Sequence, residues 1–299
     1  DYSGSRGLGD VYKRQIIAGG IKRIAKIASK LVPIMAVIYF GGALVVVAEN
    51  YQNIIPSFHS IFSQVFSGSA AAGGFLGASF AMSLKLGVAR GLYSNEAGQG
   101  SSPIAHASAK AEHSVEQGMV SILEPFIDTI VVCSVTALVI LSSGAWTQKY
   151  DNTFERSSMA IFAGSYAESN SKDVEELGKY ILDARNFTSD TTNVENFTGN
   201  LDLIDGQMQK QTVTVFHNNS IAEDVVFYQG AEPVSGLLEI SDGKIADSSV
   251  RVEGKSLIHS AELTSKAFGS GVLGIYGEYI VAIGLLLFAF STAIAWSYY

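Results

Sequence analysis

The stretch "RGLYSNEAGQGSSPIAHASAK", residues 90–110, decides how the chain is read. It lies among apolar runs, yet it is rich in Gly, Ala and Ser. Asn95 and Glu96 stand in its middle, just after Arg90. An ionisable side chain inside a membrane span costs about 2.5–3.5 kcal/mol on insertion scales, so its presence there calls for a partner or a function. The small-residue-rich segment runs from Gly73 to Ser108. An unbroken helix of that length would extend about 54 Å, too far for a hydrocarbon core of about 30 Å. "YSNEAGQG", with Gly98 and Gly100 and few strong helix formers, is the natural interruption. The pattern predicts a membrane span made discontinuous at residues 93–100.

The rest of the chain fits a membrane setting. Apolar residues make up 47% and charged residues only 16%, against about 25% charged in soluble domains. Leu31–Ala48, Thr129–Trp146 and Tyr279–Tyr299 are uncharged and long enough to be span candidates. Lys22, Arg23, Lys26 and Lys30 crowd the start of the first span, whereas its far flank has no Lys or Arg until Lys85. The positive-inside rule therefore puts residue 30 inside and residue 50 outside. "IPSFHSIFSQVF" then spaces Ile54, Phe58, Ile61, Phe62 and Val65 helically. This predicts a short outer helix, either interfacial or packed as a loop helix. After the discontinuous span and a charged turn at Lys110–Glu116, a third span is expected over about Gln117–Trp146. A fourth is expected over about Gly271–Tyr299.

Residues 146–262 have another character. They hold 19 acidic and 9 basic residues, a net charge of −10, which leaves +2 for the remainder of the chain. Such a block reads as a soluble α+β domain outside the membrane, and it carries no basic patch for nucleic acid. Ser171 is placed to cap a helix running to Arg185, with Val174, Leu177, Ile181 and Ala184 on one face. "QTVTVFH", "DVVFYQG", "GLLEI" and "SSVRV" read as strands, and "SDGK" at 241–244 as a hairpin turn. Asn186, Asn196 and Asn218 begin N-x-[ST] patterns. His217 and His259 are isolated, and no catalytic cluster is visible, so an enzyme is not expected. The single cysteine, Cys133, cannot form an internal disulfide and reads as a buried structural thiol. Residues 1–15, "DYSGSRGLGDVYKRQ", lack the apolar core of a signal peptide. They resemble translated adapter sequence and are expected to be a non-native leader. The expected organisation is thus 1–15 leader, 16–145 membrane core, 146–262 inserted domain and 263–299 membrane core continued.

The residues that could carry chemistry follow from this frame. Lys85, Arg90, Glu96 and Asp128 are ionisable groups within spans, and internal pairing of Arg90 with Glu96 is the plain structural alternative. Glu124 sits nearer a solvated flank. A broken membrane helix frees backbone N–H and C=O groups, which can face a carboxylate or Na⁺. "YSNEAGQGSS" adds the Ser94 hydroxyl, the Asn95 amide and bare backbone at Gly98 and Gly100. In the last span, Ser291 and Thr292 place hydroxyls in an apolar helix, with Trp296 one turn on. Such hydroxyls commonly bond to their own helix backbone.

"GVARGLYSNEAGQGSSPIAHASAK", followed by "VEQGMVSILEPFIDTIVVCSVTALVIL", resembles the sodium:alanine/glycine symporter family. "KRIAKIASKLVPIMAVIY" and "LLLFAFSTAIAWSYY" are similar to it as well, so the likeness covers roughly residues 16–145 and 263–299. The resemblance implies an all-α polytopic membrane protein: part of a leucine-transporter-type inverted-repeat core, here four spans, with the soluble α+β domain inserted. The spans would be helices five to eight of that core. It implies substrate contacts at Tyr93, Ser94, Asn95, Glu96, Gly98, Thr292 and Trp296. It implies Na⁺ contacts at Ser94, Asp128, Ser291 and Thr292, with Na⁺ as coupling ion and no organic cofactor. The substrate would be a small neutral amino acid, alanine or glycine, and the location the cytoplasmic (inner) membrane of a bacterium. The family's first helix, with its own glycine-rich break, and its last helices have no counterpart here. The chain is therefore expected to be an incomplete fragment that needs those missing helices as partners. A membrane-anchored extracellular binding module, carried by residues 146–262, is the alternative reading.

Overall fold

The computed structural model describes residues 20–67, 80–94, 106, 110–184, 192–209 and 212–296. The chain divides into two compact units. One comprises residues 1–54, 87–143 and 264–299, the other 55–86 and 144–263.

The first unit is helical. Helix α1 runs over Gly20–Glu49 and passes through Pro33 without ending. A single 3₁₀ turn at Tyr51–Asn53 follows. Helix α2, Ile54–Ser67, falls in the second unit from Ile55 on, as does the start of α3, Phe80–Ser94, which enters the first unit at residue 87. Helix α4, Ser114–Pro125, continues into a π-helical stretch at Phe126–Val132 and then α5, Cys133–Ser143. Gly144, at φ 71°, ends that run in the left-handed conformation that glycine adopts without penalty. The third span therefore stops short of Trp146, which lies in a 3₁₀ turn instead. Among the described residues, three helical runs are long and apolar enough to cross a membrane: 29–49, 114–143 and 275–293. Of the expected discontinuous span, α3 is described; Tyr93 and Ser94, the expected start of the interruption, are still helical, and residues 95–100 lie outside the described residues.

Helix α1 packs on α5 and on the last helix. Ala43 and Val46 are fully buried, whereas Ile34, Val37 and Leu44 on other faces are exposed. An apolar surface of this kind suits lipid or neighbouring helices. Cys133, expected to be buried, is exposed. Hydropathy reports that a residue belongs to a span, not which face of the helix it occupies.

The second unit is built on strands: β1 Tyr150–Thr153, β2 Met159–Ala163, β3 Gly199–Ile204, β4 Gln207–Met208, β5 Val213–His217, β6 Ser220–Ile221, β7 Glu223–Gln229, β8 Glu232–Pro233, β9 Gly236–Ser241, β10 Lys244–Ile245 and β11 Val250–Ser256. They form three antiparallel sheets ordered β1-β11-β7-β8, β10-β9-β3-β4 and β2-β5-β6. One core joins all three, with Phe227, Ile161, Leu201, Leu203 and Ile240 almost wholly buried. Alternation produces it: along β3, Leu201 and Leu203 point in while Asn200, Asp202 and Ile204 point out. Helix α6, Ser171–Ala184, buries Leu177 and Ile181 against Phe162 and Phe216.

The four expected strands are present as β5, β7, β9 and β11. The "SDGK" hairpin joins β9 to β10, with Asp242 at φ 49° and Gly243 at φ 70°. These positive angles define the type I′ turn that matches strand twist. Asp205–Gly206 and Asn218–Asn219 turn in the same way, joining β3 to β4 and β5 to β6. The cap of α6 falls one residue earlier than expected. Asn170, not Ser171, accepts the N–H groups of Lys172 through Oδ1 (3.1 Å) and Val174 through its carbonyl (3.0 Å).

The segment after β11 forms helix α7, Ser260–Gly269, and a tight turn leads into α8, Ile275–Trp296. The last span thus begins at Ile275 rather than about Gly271. Within the helical unit, Phe268 is fully buried, its ring 5.1 Å from that of Tyr39.

Candidate functional site

The proposed substrate segment begins where α3 ends. Tyr93 is exposed, and Ser94 is the last residue of the helix. The Ser94 side chain, Asn95, Glu96 and Gly98 lie outside the described residues, as does the Trp296 side chain at the end of α8. Ser291 and Thr292 ride on α8, both half-buried. The Ser291 hydroxyl donates to the Phe288 carbonyl at 2.8 Å. Local bonding of this sort satisfies a hydroxyl within an apolar helix.

Asp128 occupies the π-helical stretch, half-buried. The π register is set by the N–H of Cys133 donating to the Asp128 carbonyl, five residues back. Such a stretch rotates a helix face and shifts its carbonyls out of the α ladder, and it is frequent at functional sites. Pro125, at the end of α4, contributes by having no N–H for that ladder. The sequence "EPFIDT" held the signal, a proline three residues before a membrane aspartate, but the periodicity of apolar residues does not reveal a change of helix register. Among the described residues, no cluster of His, Cys, Asp and Glu is placed to hold a metal ion.

Helix α1 packs on α8, which carries Ser291 and Thr292, and on α5, the helix that continues the π stretch of Asp128. Polar pins fix these contacts. The hydroxyls of Tyr39 and Thr136 lie 2.7 Å apart, and Thr136 in turn donates to the Val132 carbonyl at 2.9 Å. Asn53 donates from Nδ2 to the Ser142 carbonyl at 2.8 Å. The two carboxylate oxygens of Glu49 accept the Val272 N–H at 3.1 and 3.0 Å, at the turn that leads into α8. Lys266 and Glu278 pair at 2.9 Å across the same turn. The sequence does not single out Tyr39, Glu49 or Phe268. Nothing in their local pattern marks partners that lie 97 or more positions away.

The membrane setting, the small-residue segment after Arg90 and the π stretch at Asp128 all fall within one region of similarity to known proteins. The family model described as the sodium:alanine symporter family matches residues 11–172. The chain belongs to the sodium:alanine symporter family. That family consists of transporters, not enzymes. An uncharacterized transporter of Bacillus subtilis is 46% identical over 134 residues, which is 45% of this chain and 28% of that protein. A sodium/alanine symporter of Methanococcus maripaludis is 46% identical over 134 residues, 45% of this chain and 29% of its own length. A sodium/proton-dependent alanine carrier protein of Bacillus sp. PS3 is 39% identical over 139 residues, 46% of this chain and 30% of its own. The chain thus spans under a third of the length of these symporter-family relatives. No solved structure matches it.

Proposed function

We propose that this chain forms part of the core of a Na⁺-coupled symporter for a small neutral amino acid, alanine or glycine. The observation that carries the reading is the family match over residues 11–172, which includes the whole "YSNEAGQGSS" segment. In this reading the core is of the leucine-transporter type, with inverted repeats, and the remaining helices of the same protein complete it. It lies in the cytoplasmic membrane, and residues 146–262 face outward.

A break in the helix beyond Ser94 would turn backbone N–H groups to the substrate carboxylate, since helix N-termini favour negative charge. Tyr93, Ser94, Asn95, Glu96 and Gly98 supply one wall of the site, and Thr292 and Trp296 the other. Na⁺, a hard cation, takes oxygen donors from Ser94, Ser291, Thr292 and Asp128. For Ser291 to serve, its hydroxyl must keep a lone pair for the ion while donating to Phe288, which one oxygen can do. Alternating access would come from rocking one helix group against another around this site.

The test is uptake of labelled alanine and glycine into proteoliposomes, using the gene extended to the full length of its relatives. Uptake that depends on an inward Na⁺ gradient is the expected result. Folded protein that takes up no small amino acid in any Na⁺ gradient refutes the reading. Ser94→Ala, Asn95→Ala and Thr292→Val should each lower uptake at least several-fold while leaving membrane insertion intact. Wild-type uptake in all three would remove the site assignment and leave the transport reading standing.

A further inference from the structure

His217 is the one buried histidine ring of the β-rich unit among the described residues, and the transport reading gives it no role. It ends β5 with 1% of its surface exposed. Its ring stacks on Phe154 with centroids 4.3 Å apart. Nδ1 lies 2.7 Å from the Ser256 hydroxyl, which also accepts from Asn152 Nδ2 at 3.1 Å. Nε2 is buried and has no hydrogen-bond partner among the described residues.

The ring therefore joins two sheets. β5 belongs to the β2-β5-β6 sheet, whereas Asn152 and Ser256 belong to the neighbouring strands β1 and β11 of another. Around it, the β5–β6 turn holds the end of β11 by further bonds. Ser220 Oγ donates to the His217 carbonyl at 2.9 Å and accepts the Leu257 N–H at 3.0 Å. Asn218 Nδ2 donates to the Leu257 carbonyl at 3.2 Å.

We propose that His217 is an acid-sensitive latch: neutral, it closes the joint between these two sheets, and its protonation opens that joint. This goes beyond transport and does not rest on it. The neutral ring needs one donor and one acceptor position, and Ser256 serves at Nδ1. The imidazolium is a donor at both nitrogens, and its Nε2–H would point into a core with nothing to accept it. A buried charge without a partner is costly, so the joint must open to let water reach it.

The surroundings offer no rescue. β2 brings Met159 opposite His217, β6 brings Ser220, β11 brings Ser256, β1 brings Asn152, and the residue after β1 is Phe154. The titratable group whose field reaches the ring is His259, which opposes a positive charge. Stacking on Phe154 favours a cation and offsets part of the cost. Burial still dominates and lowers the His217 pKa to about 4, from an ordinary 6.5. The sign follows: the open form binds the proton more readily, so the closed form loses stability as pH falls below about 6.5, and the loss levels off below about 4. Linkage with those two values gives a rise of about 20-fold in the open-to-closed ratio between pH 7 and pH 5.

Amide hydrogen exchange of the full chain in lipid nanodiscs, corrected for the intrinsic pH dependence of exchange, reads this ratio. Peptides covering residues 213–221 and 250–257 should open about 20-fold more at pH 5 than at pH 7. In His217→Gln, which carries no titratable group there, the rise should fall below about 3-fold. A flat wild type, or a variant that responds as the wild type does, overturns the proposal. Should His217→Gln fail to fold, exchange of the His217 C2 proton in the wild type decides by itself. A midpoint below pH 5 supports the latch, and one at the ordinary histidine value overturns it.

Discussion

Two glycines beside the α7–α8 turn sit equally close to their neighbours, yet substituting them should have unequal costs. A Cβ added at Gly277 would lie 2.0 Å from the Phe268 carbonyl oxygen, 2.5 Å from its carbon and 3.0 Å from the Gly269 nitrogen. All three atoms are backbone. Relief requires α7 to lift off α8 by about 1.5 Å, to reach ordinary contact distance. That lift would pull the fully buried Phe268 from its seat against Tyr39. Overpacking costs about 1–3 kcal/mol and loss of a buried Phe about 3–5, so Gly277→Ala should cost about 3 kcal/mol. A Cβ at Gly271 would lie as close, 2.0 Å, to Glu49 Oε2. That atom ends a flexible side chain, which can swing away. The cost is then only the carboxylate's bond to the Val272 N–H, about 1 kcal/mol at this exposed position. Glu49→Ala removes the same bond. Glu49→Ala, Gly271→Ala and the double variant should therefore all cost about 1 kcal/mol, a coupling of the same size. Reversible unfolding in bicelles, followed by steric trapping, measures all four variants. A Gly277→Ala variant no less stable than Gly271→Ala, or additive costs at Glu49 and Gly271, would refute the reasoning.

Other outcomes follow from single contacts. Phe227 is wholly buried in the core that joins the three sheets, so Phe227→Ala should cost about 3–5 kcal/mol and lower the melting temperature of the β-rich unit. An unchanged melt in near-ultraviolet circular dichroism would contradict that core. Tyr39→Phe removes the hydroxyl bond to Thr136 and should cost about 0.6 kcal/mol, the average for hydrogen bonds between membrane helices. Thr136→Val, which also removes the Thr136 bond to the Val132 carbonyl, should cost at least as much, and Tyr39→Phe should add nothing to it. Additive costs in bicelle unfolding would show that the two hydroxyls act apart.

Much of the architecture was legible locally. Charge separates the acidic block 146–262 from apolar runs, because water and lipid select opposite compositions. Short runs rich in Val, Ile, Leu, Phe and Thr mark β5, β7, β9 and β11, and the Asp-Gly pair marks one hairpin, since both signals lie within a few residues. The strands β1, β2 and β3 escaped notice because they are short or flanked by polar residues, and they gain their place only by pairing with β11, β5 and β9. The cap of α6 was misplaced by one residue because adjacent Asn170 and Ser171 are both good caps. Which one serves depends on where the chain enters the helix.

By itself the sequence determined the membrane class, the acidic character of residues 146–262 and, through "RGLYSNEAGQGSSPIAHASAK", the family. Those are properties of composition and of contiguous residues. Tertiary structure alone decided that Cys133 is exposed and His217 buried, and that Glu49 grips the turn before α8. It also decided that the helix around Asp128 shifts to π register. Each of these depends on which face of an element meets which distant neighbour. A helix or strand pattern gives the period of a face, but only packing chooses what that face meets.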